Sequence, residues 1–331
     1  MNKINERECM HYQRLETNAV RCLLCPHCCH LEVGESGLCR GRTNIGGKLI
    51  AVNYAQSIGI ALDPIEKKPL YHFRPGSLIV SLGANSCNLS CFFCQNFDSS
   101  QQECPTRKIS PEELKELVTQ ECGDGPRQVA FTYTEPLTWY EYIYDFARLA
   151  PEADIVLVTN GFINPEPLDE LLQYVKAMNI DLKSIRPEFY EKHCGARLET
   201  VKSTIFRAHE LQVHIELTNL IIPGLNDSET DISDLVDFVA ALDKNIPLHF
   251  SAYHLAFKAK IPATPEKTVL DACRTAAKKL NYVYAGNIWS PEFHATVCPK
   301  CKAELISARR RPAGLDQGRC AICSEQVYGV F

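Results

Sequence analysis

No stretch of about 18 apolar residues occurs in this 331-residue sequence, so no membrane-spanning helix is expected. The N-terminal MNKINERECMHYQRLETN has no apolar core of the kind that marks a secretory signal, so export is not expected either. Positive charge is not in excess. Lys and Arg total 35 against 40 Asp and Glu, a formal net charge of −5, which argues against nucleic acid as the main partner. There is no internal repeat and no low-complexity tract, which excludes a repeat array. Hydrophobic residues at 45% and charged residues at 23% are ordinary for a globular chain. The expectation is a cytoplasmic protein, long for one compact domain and short for three.

What the sequence has in abundance is cysteine, 17 residues in all. In a reducing compartment, cysteines hold metals or do chemistry more often than they form disulfides. Most of them fall into three groups. Cys22, Cys25, Cys29 and Cys39 form the first, with Cys28 beside them; Cys87, Cys91 and Cys94 form the second; Cys298, Cys301, Cys320 and Cys323 form the third. Cys9, Cys104, Cys122, Cys194 and Cys273 are scattered and read as small apolar residues.

Between the outer groups, apolar runs alternate with helical patterns. SLIVSLG, RQVAFTY, DIVLVTN, AMNIDLK, VHIELTNLII and PLHFSAY read as strands, and YVYAGN closes the series. The segments between them have helical periodicity. One opens at Ser110-Pro111, an N-cap followed by proline at the first helical position. Such alternation predicts parallel βαβ units. The polar residues at the strand ends are Thr134 and Glu135, Thr159 and Asn160, Asp181 and Lys183, with His249 in the sixth strand. In an α/β barrel that edge carries the active site. The predicted architecture is α/β: a Cys-rich metal-binding segment over 1–75, a partial (β/α)6 TIM-like barrel over 76–290, and a zinc ribbon over 291–331.

The central group lies in NSCNLSCFFCQNF, with spacing C-x3-C-x2-C directly after the first predicted strand. Three thiolates on a four-iron cluster leave one iron open, and an open iron is a binding site. The bland alternatives are a zinc site completed by a distant residue, or three buried thiols with Phe92 and Phe93 as core filler. This loop resembles that of the radical S-adenosylmethionine (radical SAM) superfamily, with Phe93 at its aromatic position. The resemblance implies a [4Fe-4S] cluster on Cys87, Cys91 and Cys94 whose open iron chelates SAM. The reduced cluster then cleaves SAM to methionine and a 5′-deoxyadenosyl radical that abstracts hydrogen from a substrate.

The resemblance extends to other stretches. FTYTEP matches the second-strand motif of the pyruvate formate-lyase activating enzyme-like group, which implies that Glu135 receives the SAM amino group. Thr134 stands where that group usually has Asn. TNG and DLK resemble the next strand ends, implying that Lys183 pairs with the SAM carboxylate and that Asp181 and Thr159 help hold a monovalent cation. Val158 stands where an acidic cation ligand would be expected. Asn160 and His249 are implied near the ribose and adenosyl parts. With DPIEKKPLYHFRPGS, YTEPLTWYEY and IIPGLNDS in that order, the chain is similar to the radical SAM enzymes of the AmmeMemoRadiSam system. The partners so implied are SAM, a reductant such as flavodoxin or ferredoxin, and a protein substrate or Memo-like and Ammecr1-like proteins.

The C-terminal pairs, C-x2-C twice with 18 residues between, fit two knuckles around one tetrahedral zinc. A tail of this size has too small a core to fold without such a staple. For the N-terminal group, spacing alone leaves zinc or an auxiliary Fe–S cluster open, with zinc preferred and His27 and His30 as alternative ligands. The expected function is radical SAM chemistry on an unidentified substrate, possible glycyl-radical activation of a partner protein included. The competing class is an iron–sulfur electron carrier or metal-dependent scaffold that cleaves nothing.

Overall fold

The structure, a computed structural model, describes residues 7–123 and 125–331; the first six residues of the polar N-terminal stretch lie outside the described residues. Its framework is a nine-stranded sheet. Seven of the strands are parallel neighbours in chain order: β1 (Leu78–Ala84), β2 (Gln128–Phe131), β3 (Asp154–Thr159), β4 (Val175–Asp181), β5 (His214–Ile221), β6 (Leu248–Ala252) and β7 (Val283–Gly286). Sequential parallel order requires a crossover after every strand. Each crossover contains at least one helix: α1 (Pro111–Cys122), α2 (Tyr140–Leu149), α3 (Pro165–Leu172), α4 (Pro187–Cys194), α5 (Leu198–Glu210), α6 (Glu229–Asp243) and α7 (Glu266–Ala276). The strands are apolar on both faces because helices cover one side and the barrel interior the other; every residue of β2 is buried.

Local sequence explains where the helices start. At α1 the Ser110 hydroxyl accepts from the Glu113 N–H at 3.2 Å, and the Glu113 carboxylate accepts from the Ser110 N–H at 2.6 Å. Pro111 follows at the first helical position, where its missing N–H costs nothing.

The sheet reaches back across residue 75. Gln56–Pro64 pairs antiparallel with β1, and the short Arg107–Lys108 strand pairs with it in turn. The sheet therefore ends in open edges and the barrel is partial. The connector after Pro64 enters the barrel: Ile65, Leu70 and Phe73 pack against Ile79, Ala130, Val156 and Ala177. The two alanines on the inward face of β2 and β4 leave the volume that this plug fills.

Beside the plug lies a buried polar group centred on Glu216 of β5. Its carboxylate accepts from the His72 N–H at 2.7 Å and meets His214 at 3.1 Å and His249 at 2.7 Å. Burial opposes its ionisation, but the bonds to His214 and His249 hold it well below the usual carboxylate range. The C-terminal segment seals this end of the barrel. It contains two small hairpins, and its Leu305, Ile306 and Val327 pack with Tyr282 and Tyr284. The Tyr328 hydroxyl donates to the Ile215 carbonyl at 3.1 Å, and the Arg310 guanidinium lies 3.4 Å from the Tyr71 ring centroid.

The N-terminal segment packs on α2. Arg42 and Glu141, both 1% exposed, form a buried pair at 2.6 Å, and Arg7 holds Asp145 at 2.9 Å. No helix among the described residues is long and apolar enough to cross a membrane.

Candidate active site

β1 delivers the chain into NSCNLSCFFCQNF at the C-terminal edge of the sheet. The loop is held by its own backbone and by its neighbours. The Asn88 side chain donates to the Phe162 carbonyl at 2.7 Å, and the Cys94 N–H closes a turn onto the Cys91 carbonyl at 3.2 Å. Cys87, Cys91 and Cys94 all line one cleft, which holds about 1270 Å³ of empty space including its open mouth. The Cys87 sulfur accepts from the Leu89 N–H at 3.4 Å. The Cys94 sulfur is 3.1 Å from the Ser100 hydroxyl, which can donate to it once the thiol is a thiolate.

Glu135 follows β2 and is 1% exposed. Tyr133 before it takes a left-handed φ of 68°, an uncommon conformation that turns the chain back towards the cysteine loop. One carboxylate oxygen of Glu135 accepts from the Leu137 N–H at 3.0 Å and the Thr159 hydroxyl at 2.6 Å; the other accepts from the Asn160 N–H at 2.8 Å. The turn after β3 makes this possible, because Gly161 at φ 68° lets Thr159 and Asn160 both point back at Glu135. Burial pushes the Glu135 carboxyl up to about 7, against the pull of those three donors. A carboxylate has about four lone-pair sites, so this one retains capacity for one more donor from the cleft.

Across the cleft, the Lys183 ammonium lies 2.7 Å from Asp181, and both residues line the cleft. Burial works against the charged Lys183, yet the Asp181 carboxylate keeps its pKa well above the ordinary value. Asn219 and Asn226 donate to the Lys183 carbonyl at 3.1 and 2.7 Å, so the GLNDS turn fixes the Lys183 backbone. Asn160 also lines the cleft, where its amide reaches Asn88 at 2.9 Å and the Cys87 sulfur at 4.0 Å, next to the cysteine loop. Phe93, 3% exposed, stands at the cleft wall against Phe189.

His249 lies elsewhere. It shares a face with Ser251, but it sits two residues deeper in β6, between Glu216, Tyr71 and Tyr284. Ser251 is the β6 residue that reaches the cleft. The alternation of the strand placed His249 on the inward face, and only the barrel's depth separates it from the site. Sequence reading passed over Lys68, which is 2% exposed, pairs with Asp63 at 2.8 Å and lies over the Tyr133 ring at the cleft wall. Within EKKPL nothing distinguishes it from a solvated charge. Ser100 likewise has no distinguishing signal in FDSSQQ.

The three cysteines do not converge as a single-ion site does. Among the described residues, only Cys298, Cys301, Cys320 and Cys323 bring their ligand atoms all within 4.8 Å of one another. Three thiols spread along an open cleft suit a multi-iron cluster with one free iron. Residues 82–239, which contain this loop and the Glu135 and Lys183 strand ends, match the Radical SAM superfamily model.

This chain belongs to the radical SAM superfamily. It is 41% identical over 334 residues to an uncharacterized protein of Methanocaldococcus jannaschii, covering 97% of this chain and 98% of that one. It is 32% identical over 187 residues to the GTP 3',8-cyclase of Aquifex aeolicus, covering 54% of this chain and 57% of the cyclase. Among solved structures it is similar to a domain of pyruvate-formate lyase-activating enzyme from Bacteroides vulgatus, with TM-score 0.43 and 21% identity over 48% of this chain and 98% of that one. The chain is thus a radical SAM enzyme, and its family implies a [4Fe-4S] cluster and SAM, with a reductant. The donor set of the cleft fits both.

Proposed function

We propose that this radical SAM enzyme reductively cleaves SAM in the cleft, at a cluster held by Cys87, Cys91 and Cys94, and directs the resulting 5′-deoxyadenosyl radical at a substrate hydrogen. One observation carries this reading. Groups of opposite charge, Glu135 and Lys183, line the same cleft as the three thiols. SAM carries an ammonium and a carboxylate on one carbon, and the two groups complement them. Glu135 accepts the ammonium with its remaining lone pair, and Lys183 turns its N–H groups not spent on Asp181 to the carboxylate. Fixed in advance by their neighbours, they orient the cofactor without further ordering. Asn160 and Phe93 wall the site beside the cysteine loop, and Asp181 keeps the Lys183 ammonium charged. The cluster supplies the electron that breaks the sulfonium bond.

The substrate end of the cleft is walled by Lys68, Tyr133, Thr218, Ser251 and Asn287. This polar wall suits either a small molecule or the side chain of a protein segment. The C-terminal segment lies at the opposite end of the barrel, beside His72 and Ile215, and so adds nothing to docking at the cleft. Its four cysteines take one zinc. With Zn–S bonds of about 2.3 Å, tetrahedral geometry separates the sulfurs by about 3.8 Å. The Cys298–Cys323 and Cys301–Cys320 sulfurs are both 3.6 Å apart. The many thiols and the need for a low-potential reductant such as flavodoxin or ferredoxin agree with a cytoplasmic setting.

Anaerobic reconstitution with iron, sulfide, dithionite and SAM tests the reading. Formation of 5′-deoxyadenosine is expected. A cluster that takes an electron but leaves SAM intact refutes it in favour of an electron carrier.

A further inference from the structure

Cys22, Cys25, Cys29 and Cys39 line a small pocket between the N-terminal segment and the loop that carries Cys87, with about 340 Å³ of space not filled by atoms, its open mouth included. Other ligand types are engaged elsewhere. His27 is bonded to the Asn88 carbonyl at 2.8 Å, His30 is exposed beside Glu32, and Cys28 is exposed with its thiol towards the Cys25 carbonyl. The cavity is therefore lined by four thiols, with the His27 ring beside them held by its Nε2 on the Asn88 carbonyl. We propose that these four thiolates hold a second four-iron cluster rather than a zinc ion.

Three observations bear on the site, and the first of them separates the two metals. The first is spacing. In this same chain the C-terminal set has closed to single-ion distances, whereas the N-terminal set stands apart around a cavity. Four thiolates on one zinc must all approach to about 3.8 Å, while a cube of four irons and four sulfides holds them at its corners.

The second is Gly37. A Cβ at this position would lie 3.8 Å from the Cys29 sulfur and 3.9 Å from the Cys39 sulfur. The missing side chain keeps the space between those sulfurs clear.

The third is Arg42, 1% exposed on the cavity wall. One of its terminal nitrogens holds Glu141, but its Nε and the other terminal nitrogen have no partner. Buried cationic donors without acceptors are costly. A metal centre held by four thiolates presents both negative charge and sulfur acceptors to them, which marks the pocket as a site.

The site also adjoins the central cluster. Asn88 lines the N-terminal cavity and is next in sequence to Cys87, and Arg40, next to Cys39, donates to the Ser100 carbonyl at 2.8 Å. The two cysteine sites are thus neighbours, joined through the Cys87–Asn88 and Cys39–Arg40 stretches.

Metal and sulfide analysis of the full chain after anaerobic reconstitution decides the matter. About eight irons and one zinc per chain are expected; about four irons and two zincs overturn the proposal. The Cys87→Ala/Cys91→Ala/Cys94→Ala variant should keep about four irons and a reduced electron paramagnetic resonance signal that SAM does not alter. The Cys25→Ser/Cys29→Ser variant should keep a signal that SAM does alter. In the parent chain the two reduced clusters should broaden each other's signals, and two independent signals would overturn the placement beside Cys87.

Discussion

Replacing Glu135 by Gln should separate cofactor binding from stability in a pH-dependent way. The parent carboxyl rises from an ordinary 4.5 to about 7 through burial. That shift makes the ionised form costlier in the fold by about 3 kcal/mol at pH 8. For an acid with a raised folded-state pKa, the folded chain holds its proton longer than the unfolded one. Stability is therefore lost as pH rises from about 4.5 to about 7, and between pH 5.5 and 8 the loss is about 2 kcal/mol. The Gln variant has no such charge. Its amide oxygen can keep the bonds from Leu137 and Thr159, but its NH₂ then faces the Asn160 N–H, which loses its acceptor at a cost of about 1–3 kcal/mol. At pH 5.5 the variant should be less stable than the parent, and by pH 8 the gap should close or reverse. Over the same range SAM affinity should fall, because one charge-assisted bond worth about 1.5–3 kcal/mol is gone, or roughly ten- to a hundredfold. Thermal unfolding at both pH values and anaerobic SAM titration measure the two effects. A stability difference that does not change with pH would refute the buried, raised carboxyl. Unchanged SAM binding would remove Glu135 from the clamp.

Lys183→Met should keep the iron content while raising the SAM dissociation constant by roughly ten- to a hundredfold, read by the same titration. Ser100→Ala removes the hydroxyl proton offered to the Cys94 sulfur, so the central cluster should become harder to reduce by tens of millivolts in a redox titration. Glu141→Gln leaves the buried Arg42 charge without its partner and should cost about 3–5 kcal/mol, seen as a lowered midpoint of thermal unfolding. Removing zinc, or changing Cys320 to Ala, should open the C-terminal segment to trypsin at the exposed Arg309 before the barrel is cut.

The order of strands and helices was open to reading because it depends on local signals. Apolar runs such as LIVSL, the Ser110-Pro111 start of α1 and the Asn160-Gly161 turn each act over a few residues. The C-x3-C-x2-C spacing was legible for the same reason, since one short loop carries all three thiols. The C-terminal pairs gave their spacing but not their closeness, and it is the packing of two hairpins that brings the paired sulfurs to 3.6 Å. Depth within the barrel was also out of reach. Alternation places His249 and Ser251 on the same inward face, and only the assembled barrel sends one to Glu216 and the other to the cleft. Likewise, the connector after Pro64 became a plug because Ala130 and Ala177, far apart in the chain, leave it room. Lys68, Ser100 and Arg42 have ordinary sequence surroundings; their roles come from burial against residues distant in sequence, and burial is a property of the fold.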